Sequence, residues 1–143
     1  MVEITRQVEF SASHRLFNPA FSDRDNERIF GICNNPNGHG HNYVLDVTVA
    51  GEPDPQTGMI IDLKTLRDLL EEELIRHVDH KNLNLDVPFL QGCVPTVEML
   101  VIRFWERLAD RIPGGRLKEL TLYESRTNYA RYRGPEAGDA AKA

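Results

Sequence analysis

The sequence predicts a single α+β domain with helices on one face of an antiparallel sheet. Three observations carry that prediction. Two long segments, near residues 2–14 and 39–49, alternate with period two, the signature of strands. Two later segments carry apolar residues at helical spacing. Those helical segments follow one another directly, which excludes an alternating parallel β-α-β winding. The 143 residues fit one domain, since domains commonly run ~100–150 residues. The domain is expected over 1–134, with a small, polar, flexible tail over 135–143.

The elements follow in order. Val2, Ile4, Val8, Phe10, Ala12 and His14 share one parity and hence one face of the first strand. Residues 17–30 are polar and irregular, a long loop or short helix. CNNPNGHG is dense in loop formers. In the second long strand His39, His41, Tyr43, Leu45, Val47 and Val49 share a face. GEPDPQTG is a turn cluster, and Met59-Ile60-Ile61 is expected as a short strand. Asp62 is an N-cap for a helix with Leu63, Leu66, Leu70, Leu74 and His77 on one stripe, Glu71, Glu72 and Glu73 pointing outward, and an end near Val78-Asp79-His80. KNLNLDVPF is irregular. Thr96 caps a second helix with Val97, Val101, Trp105, Leu108 and Ile112 as its stripe, widened by Leu100 and Phe104. Pro113-Gly114-Gly115 stops it. Leu120, Leu122 and Glu124 share a face of the last main strand, and a short aromatic segment runs from Tyr129 to Arg133. Four strands and two helices leave sheet edges uncovered, which invites pairing with another subunit.

Composition excludes several functions. Hydrophobic residues are 41% and charged residues 27%, ordinary for a globular chain. The net charge is −5 with no basic block, which argues against a nucleic-acid surface. Thirteen of the 17 cations are Arg, suited to local anion contacts. No apolar run approaches the ~18–20 residues of a membrane helix. The start, MVEITRQVEF, lacks the layout of a secretory signal. Cys33 and Cys93 therefore read as free thiols in a reducing cytoplasm.

The densest chemical signal is Gly38-His39-Gly40-His41. Histidines at i and i+2 of a strand project together and can reach one ion. His14, ending the first strand, is the natural third ligand. Three histidines without a nearby cysteine pair suit an open, catalytic zinc site rather than a closed structural one. The alternative is that all three are ordinary strand or core histidines. Cys33, six residues before His39, is either a base or nucleophile near the metal or a small buried hydrophobe; Cys93 reads as the latter. Asp79-His80 is either a proton relay or a helix-end pair favoured by the dipole. Glu124 continues a covered face. It either accepts two N–H groups from a guanidine-like heterocycle edge or pairs with an Arg such as Arg126. Glu98 falls in a first helical turn, where an acid is favoured anyway.

Taken in order, Phe10-Ser-Ala-Ser-His14-Arg-Leu, Cys33-Asn-Asn-Pro-Asn-Gly-His39-Gly-His41-Asn-Tyr43, Gly58-Met-Ile-Ile-Asp62-Leu, Asp79-His80-Lys-Asn-Leu83 and Leu122-Tyr-Glu124 closely resemble the 6-pyruvoyltetrahydropterin synthase family. The resemblance runs from about residue 4 to Gly134. It implies a T-fold (tunnelling fold), a four-stranded antiparallel sheet with two helices on one face. It implies homo-oligomers, trimers or dimers of trimers, whose sheets close into a barrel. It implies zinc on His14, His39 and His41, Cys33 as catalytic base, and Asp79 and His80 as a relay acting across a subunit interface. Glu124 would anchor the pterin ring, with Thr96 and Glu98 lining the pocket. The implied substrate is 7,8-dihydroneopterin triphosphate, converted to 6-pyruvoyltetrahydropterin with loss of triphosphate. Met99, where the family often has Asn, and Val97, where Thr is common, depart from the pattern. The sister activity, 6-carboxytetrahydropterin synthase of the queuosine pathway, typically has a shorter Cys-x-x-Leu-His-Gly-His segment. A folate-route relative carries Glu in place of Cys33. A non-catalytic zinc- or pterin-binding paralogue is the alternative of another class.

Overall fold

The computed structural model describes residues 1–136. The tail expected over 135–143 lies, from residue 137 onward, outside the described residues. Strands β1 (Val2–His14) and β2 (His39–Gly51) pair antiparallel along their whole length, from Val2 opposite Gly51 to His14 opposite His39. β4 (Arg116–Tyr123) pairs antiparallel with β2, and β5 (Tyr129–Tyr132) with β4. The register shifts between Thr48 and Val49, so Leu117 and Leu120, of opposite parity, are both buried.

Among the described residues the sheet has five strands rather than four, in the order β3 (Lys81–Asn82), β1, β2, β4, β5. Two of them, β5 and β3, are not among the expected strands, and β3 runs parallel to β1 beside Ala12 and Ser13. His80 makes it possible. Its φ of 59° turns the chain sharply out of the preceding helix. Two residues are too few for any sequence period to reveal.

Among the described residues three helices form rather than two. α1 (Asp23–Phe30) starts at Ser22, whose hydroxyl accepts from Asp25 N, and it buries only Asn26. It has no apolar stripe, so periodicity cannot find it. α2 covers 63–78. Asp62 caps it as expected, accepting from Lys64 N. Its middle, Glu71–Ile75, is a π-helical turn between the α-helical pieces Leu63–Leu70 and Arg76–Val78. The wide turn shifts the buried stripe to Leu66, Leu70, Leu74, Ile75 and Val78. Leu63 is left exposed, and His77 reaches back to Glu72 O at 3.1 Å. Glu73 does not point outward as expected. It is half-buried, its carboxylate 3.1 Å from Arg111 Nε, while its carbonyl accepts from Arg107 Nε at 2.8 Å. A side chain thus satisfies a carbonyl at the irregular turn.

α3 (Val97–Leu108) is capped by Thr96, whose hydroxyl accepts from Met99 N. Its buried residues are Leu100, Val101, Phe104 and Leu108. Trp105 is instead partly buried, packed on Tyr132. Met59-Ile60-Ile61 forms no strand. Ile61 is buried, and Ile60 packs at the close approach of Gly51 and Gly115. The segment is apolar because it plugs a corner. The helices pack on the face of Phe10, Tyr43, Leu45, Val47, Leu120 and Leu122, all buried. The opposite face carries Thr5, Gln7, Ser11, Asn42, Asp46 and Thr48, joined in cross-strand hydrogen bonds.

Candidate metal centre and its surroundings

The β1–β2 register builds the centre. It sets His14 opposite His39 and Ala12 opposite His41, all on the helix-covered face. The three imidazoles stand edge to face, with centroids 4.6, 5.1 and 5.0 Å apart. One potential ligand atom from each lies within 4.8 Å of the others, and His14 Nε2 is 3.0 Å from His39 Nε2. His14 is fully buried. Its Nδ1 donates to the Pro95 carbonyl at 2.8 Å. A carbonyl only accepts, so the proton sits on Nδ1 and the Nε2 lone pair faces the other rings. Burial pushes the His14 pKa down to about 4, against the pull of that carbonyl and with help from the two neighbouring imidazoles. Burial also lowers that of His41. The ring that needs a free lone pair to bind an ion is therefore neutral at pH 7.

Gly38 permits this approach. Its φ is 73°, and a Cβ there would lie 2.9 Å from His14 O.

Glu124, just beyond β4, joins the cluster. Its Oε1 is 3.4 Å from His41 Nε2 and 3.5 Å from His14 Nε2. The pairing with Arg126 is not realised, because the carboxylate turns inward to the imidazoles. The 3.4 Å approach lacks hydrogen-bond geometry, so His41 Nε2 is a buried nitrogen without a hydrogen-bond partner. An orphaned buried nitrogen, two further imidazoles and an adjacent carboxylate fit a divalent metal of the zinc type. Tyr43, also fully buried, places its hydroxyl 3.3 Å from His14 Nδ1, and burial raises its pKa.

Cys33 is half-buried in a 3-10 turn, Gly31–Asn34. Its carbonyl accepts from Leu16 N at 2.9 Å. Arg15 clamps the same loop, with Nε on Asn34 O at 2.8 Å and Nη2 on Asn34 Oδ1 at 3.0 Å. Asn84 fixes the Arg15 backbone from both sides. Arg15 thus ties the Cys33 loop to the end of β1, next to His14.

Asp79 and His80 lie elsewhere. Asp79 Oδ1 accepts from Ser11 N at 2.9 Å and sits 3.0 Å from His80 Nδ1. The Ser11 amide, then His80, hold the Asp79 carboxyl below its ordinary value, against a burial effect. His80 N donates to Ser11 O. The His80 side chain is 82% exposed. It borders a depression of about 400 Å³ whose lining includes Ser11, Ser13 and Asn42 and also His41 of the histidine centre. Among the described residues no hydrogen bond or ion pair joins Asp79 or His80 to the three histidines.

Thr96 is half-buried and occupied as a cap, and Glu98 is exposed in the first turn of α3. Among the described residues neither forms a hydrogen bond or ion pair with the histidines. The residue before them, Pro95, does so through its carbonyl. Sequence reasoning missed it because a backbone oxygen leaves no residue-type signal. Cys93 donates its thiol to Leu90 O at 3.0 Å, consistent with a small packing residue.

An antiparallel sheet backed by helices, with a three-histidine centre at the end of its two long strands, defines a T-fold domain equipped to hold a metal. Comparison with known proteins makes this particular. The sequence model described as 6-pyruvoyl tetrahydropterin synthase matches residues 3–135, and the chain belongs to that family. It is 45% identical over 132 residues to the human protein named 6-pyruvoyl tetrahydrobiopterin synthase, covering 92% of this chain and 91% of that one. It is similar to the solved structure of Caenorhabditis elegans 6-pyruvoyl tetrahydropterin synthase, with a TM-score of 0.89, 40% identity and coverage of 94% and 96%. A Rickettsia conorii 6-carboxy-5,6,7,8-tetrahydropterin synthase is 31% identical over 80 residues, 56% of this chain and 49% of that one.

Proposed function

We propose that the protein is a zinc-dependent lyase. It converts 7,8-dihydroneopterin triphosphate to 6-pyruvoyltetrahydropterin, with elimination of triphosphate and internal redox, in tetrahydrobiopterin-type synthesis. The observation that carries this reading is the convergence of three imidazoles, one buried and held neutral, beside the Glu124 carboxylate. His14, His39 and His41 would hold zinc, which would supply positive charge to stabilise negative oxygen on the substrate side chain. Glu124 accepts the paired N–H groups of the pterin edge, and Thr96 and Glu98 line that pocket. Cys33 removes a side-chain proton as the base. His80, kept in place by Asp79, returns one.

Among the described residues neither Asp79 nor His80 forms a hydrogen bond or ion pair with the three histidines. That separation supports an assembly in which His80 of one copy serves the histidine centre of another, as a trimer or dimer of trimers in the cytoplasm. The 6-carboxytetrahydropterin activity is the second reading. The longer Cys33-to-His39 segment, and the longer and closer match to the pyruvoyl enzymes, favour the first.

The test is mass spectrometry of products from zinc-loaded protein and 7,8-dihydroneopterin triphosphate. A 6-pyruvoyl product without acetaldehyde is expected. A 6-carboxy product with acetaldehyde would establish the second reading. Binding of zinc and pterin with no turnover would mark a non-catalytic paralogue.

A further inference from the structure

Residues 11–16, the end of β1 and the two residues after it, carry three attachments at once. His14 is one of the three imidazoles. Ser11 holds the Asp79–His80 pair, its N–H on Asp79 Oδ1 at 2.9 Å and its carbonyl accepting from His80 N at 2.6 Å. Arg15 and Leu16 hold the Cys33 turn, through Leu16 N on Cys33 O and the Arg15 guanidinium on Asn34. This last attachment is built in two steps, and each step depends on one side chain.

The first side chain is Asn84. β3 ends at Asn82, and Leu83 N donates to Ser13 O at 2.8 Å. Beyond that point the side-chain amide of Asn84 takes over the pairing. Its Oδ1 accepts from Arg15 N at 2.8 Å and its Nδ2 donates to Arg15 O at 2.9 Å. An amide offers a donor and an acceptor in one plane, as a strand residue would, whereas a carboxylate only accepts. Asn84 is itself held, since its N–H donates to Asn82 Oδ1 at 2.9 Å. The second side chain is Arg15. It is half-buried, lies over the Phe17 ring at 4.2 Å, and places two N–H groups on the carbonyl and side-chain oxygens of Asn34. Both acceptors are neutral. The planar guanidinium therefore supplies two-point geometry here rather than charge neutralisation. Asn34 directly follows Cys33, so the direction in which Arg15 leaves the strand sets where the thiol stands.

We propose that Asn84 and Arg15 are positioning residues for Cys33. The Asn84 amide fixes the Arg15 backbone, and the Arg15 guanidinium fixes the Cys33 turn next to His14. Their part in turnover rests on Cys33 being the base of the reaction proposed above.

The experiment compares the full-length, zinc-loaded wild type with Asn84→Asp, Arg15→Lys and Arg15→Ala. Asn84→Asp keeps the acceptor for Arg15 N and removes the donor to Arg15 O. Arg15→Lys keeps the charge and removes the planar two-point contact. Alkylation of Cys33 by iodoacetamide at fixed pH, followed by peptide mass spectrometry, reads the turn without reference to turnover. Zinc content reads the histidine centre. A released turn opens locally, so Cys33 alkylation is expected to rise about threefold or more in each variant, with zinc content unchanged. With 7,8-dihydroneopterin triphosphate, kcat is expected to fall about 10²-fold in Arg15→Ala and about tenfold in the other two, while KM changes little. Should Arg15→Ala fail to fold, Arg15→Lys carries the decision. Wild-type alkylation of Cys33 in Arg15→Lys overturns the proposal, and so does wild-type kcat there, which would make charge alone sufficient. Loss of zinc from Arg15→Lys also overturns it, because Arg15 would then hold the histidine centre instead of the turn. Absence of turnover in the wild type would overturn the reaction, while the alkylation rates would still decide whether Asn84 and Arg15 position Cys33.

Discussion

The histidine centre and the Asp79–His80 pair are built in opposite ways. At the first, thirteen paired positions of β1 and β2 deliver the rings, Pro95 fixes one of them, and burial keeps it uncharged. At the second, a solvent-exposed imidazole leans on a carboxylate anchored by one backbone amide. Orienting a ligand demands rigidity and neutral nitrogen, which a sheet interior provides. Moving a proton demands a group that can change charge, which water contact permits. Among the described residues no hydrogen bond or ion pair joins the two environments.

That contrast can be broken from either side. The largest expected effect is at the buried centre. His39→Ala should remove bound zinc, read by atomic absorption, and lower turnover by roughly 10³-fold or more. Retained zinc at wild-type stoichiometry would mean that the triad is not the metal site. Next comes acid. The folded His14 has a pKa of about 4 against an ordinary 6.5, so between those values the unfolded chain binds a proton that the folded chain does not. Stability of metal-free protein is thus full above pH 6.5 and falls as pH drops toward 4, by up to ~3 kcal/mol. Urea titrations at several pH values read this, and a flat profile would show that the ring is not held neutral. Asp79→Asn should cost about 10²-fold in turnover and leave zinc content untouched. Zinc loss in that variant would show that the two regions are not separate. Smallest is a pair of glycines. Gly38→Ala meets His14 O and should cost ~2–3 kcal/mol. Gly31→Ala, at φ 56° with nothing within 4 Å, should cost only ~1 kcal/mol in denaturant titration.

The long elements were legible because each repeats its pattern over many residues. The face of Phe10, Ala12 and His14, and that of His39, His41 and Tyr43, stand as alternation implies. Both helix caps, Asp62 and Thr96, accept the backbone bonds their chemistry suits. Short or irregular features were not legible. β3 is two residues long, α1 buries no apolar stripe, and Ile60-Ile61 is apolar for a reason other than strand pairing. At the site, residue types pointed to the three histidines. That Glu124 sits against two of them, rather than against Arg126, depends on where the chain turns after Tyr123, and no spacing rule contains that.

The five-residue π turn at Glu71–Ile75 works as a phase adjuster between two rigid parts of the molecule. An α-helix advances ~100° per residue, so one residue more or less in that turn rotates everything beyond it by about that angle. Upstream, Leu66 and Leu70 stay keyed to the core whatever happens there. Downstream, Asp79 and His80 would swing off Ser11 and away from the depression that His80 borders. A deletion of one glutamate, about two turns before His80 and invisible to a search for functional side chains, would then displace the Asp79–His80 pair while leaving the histidine centre fully assembled.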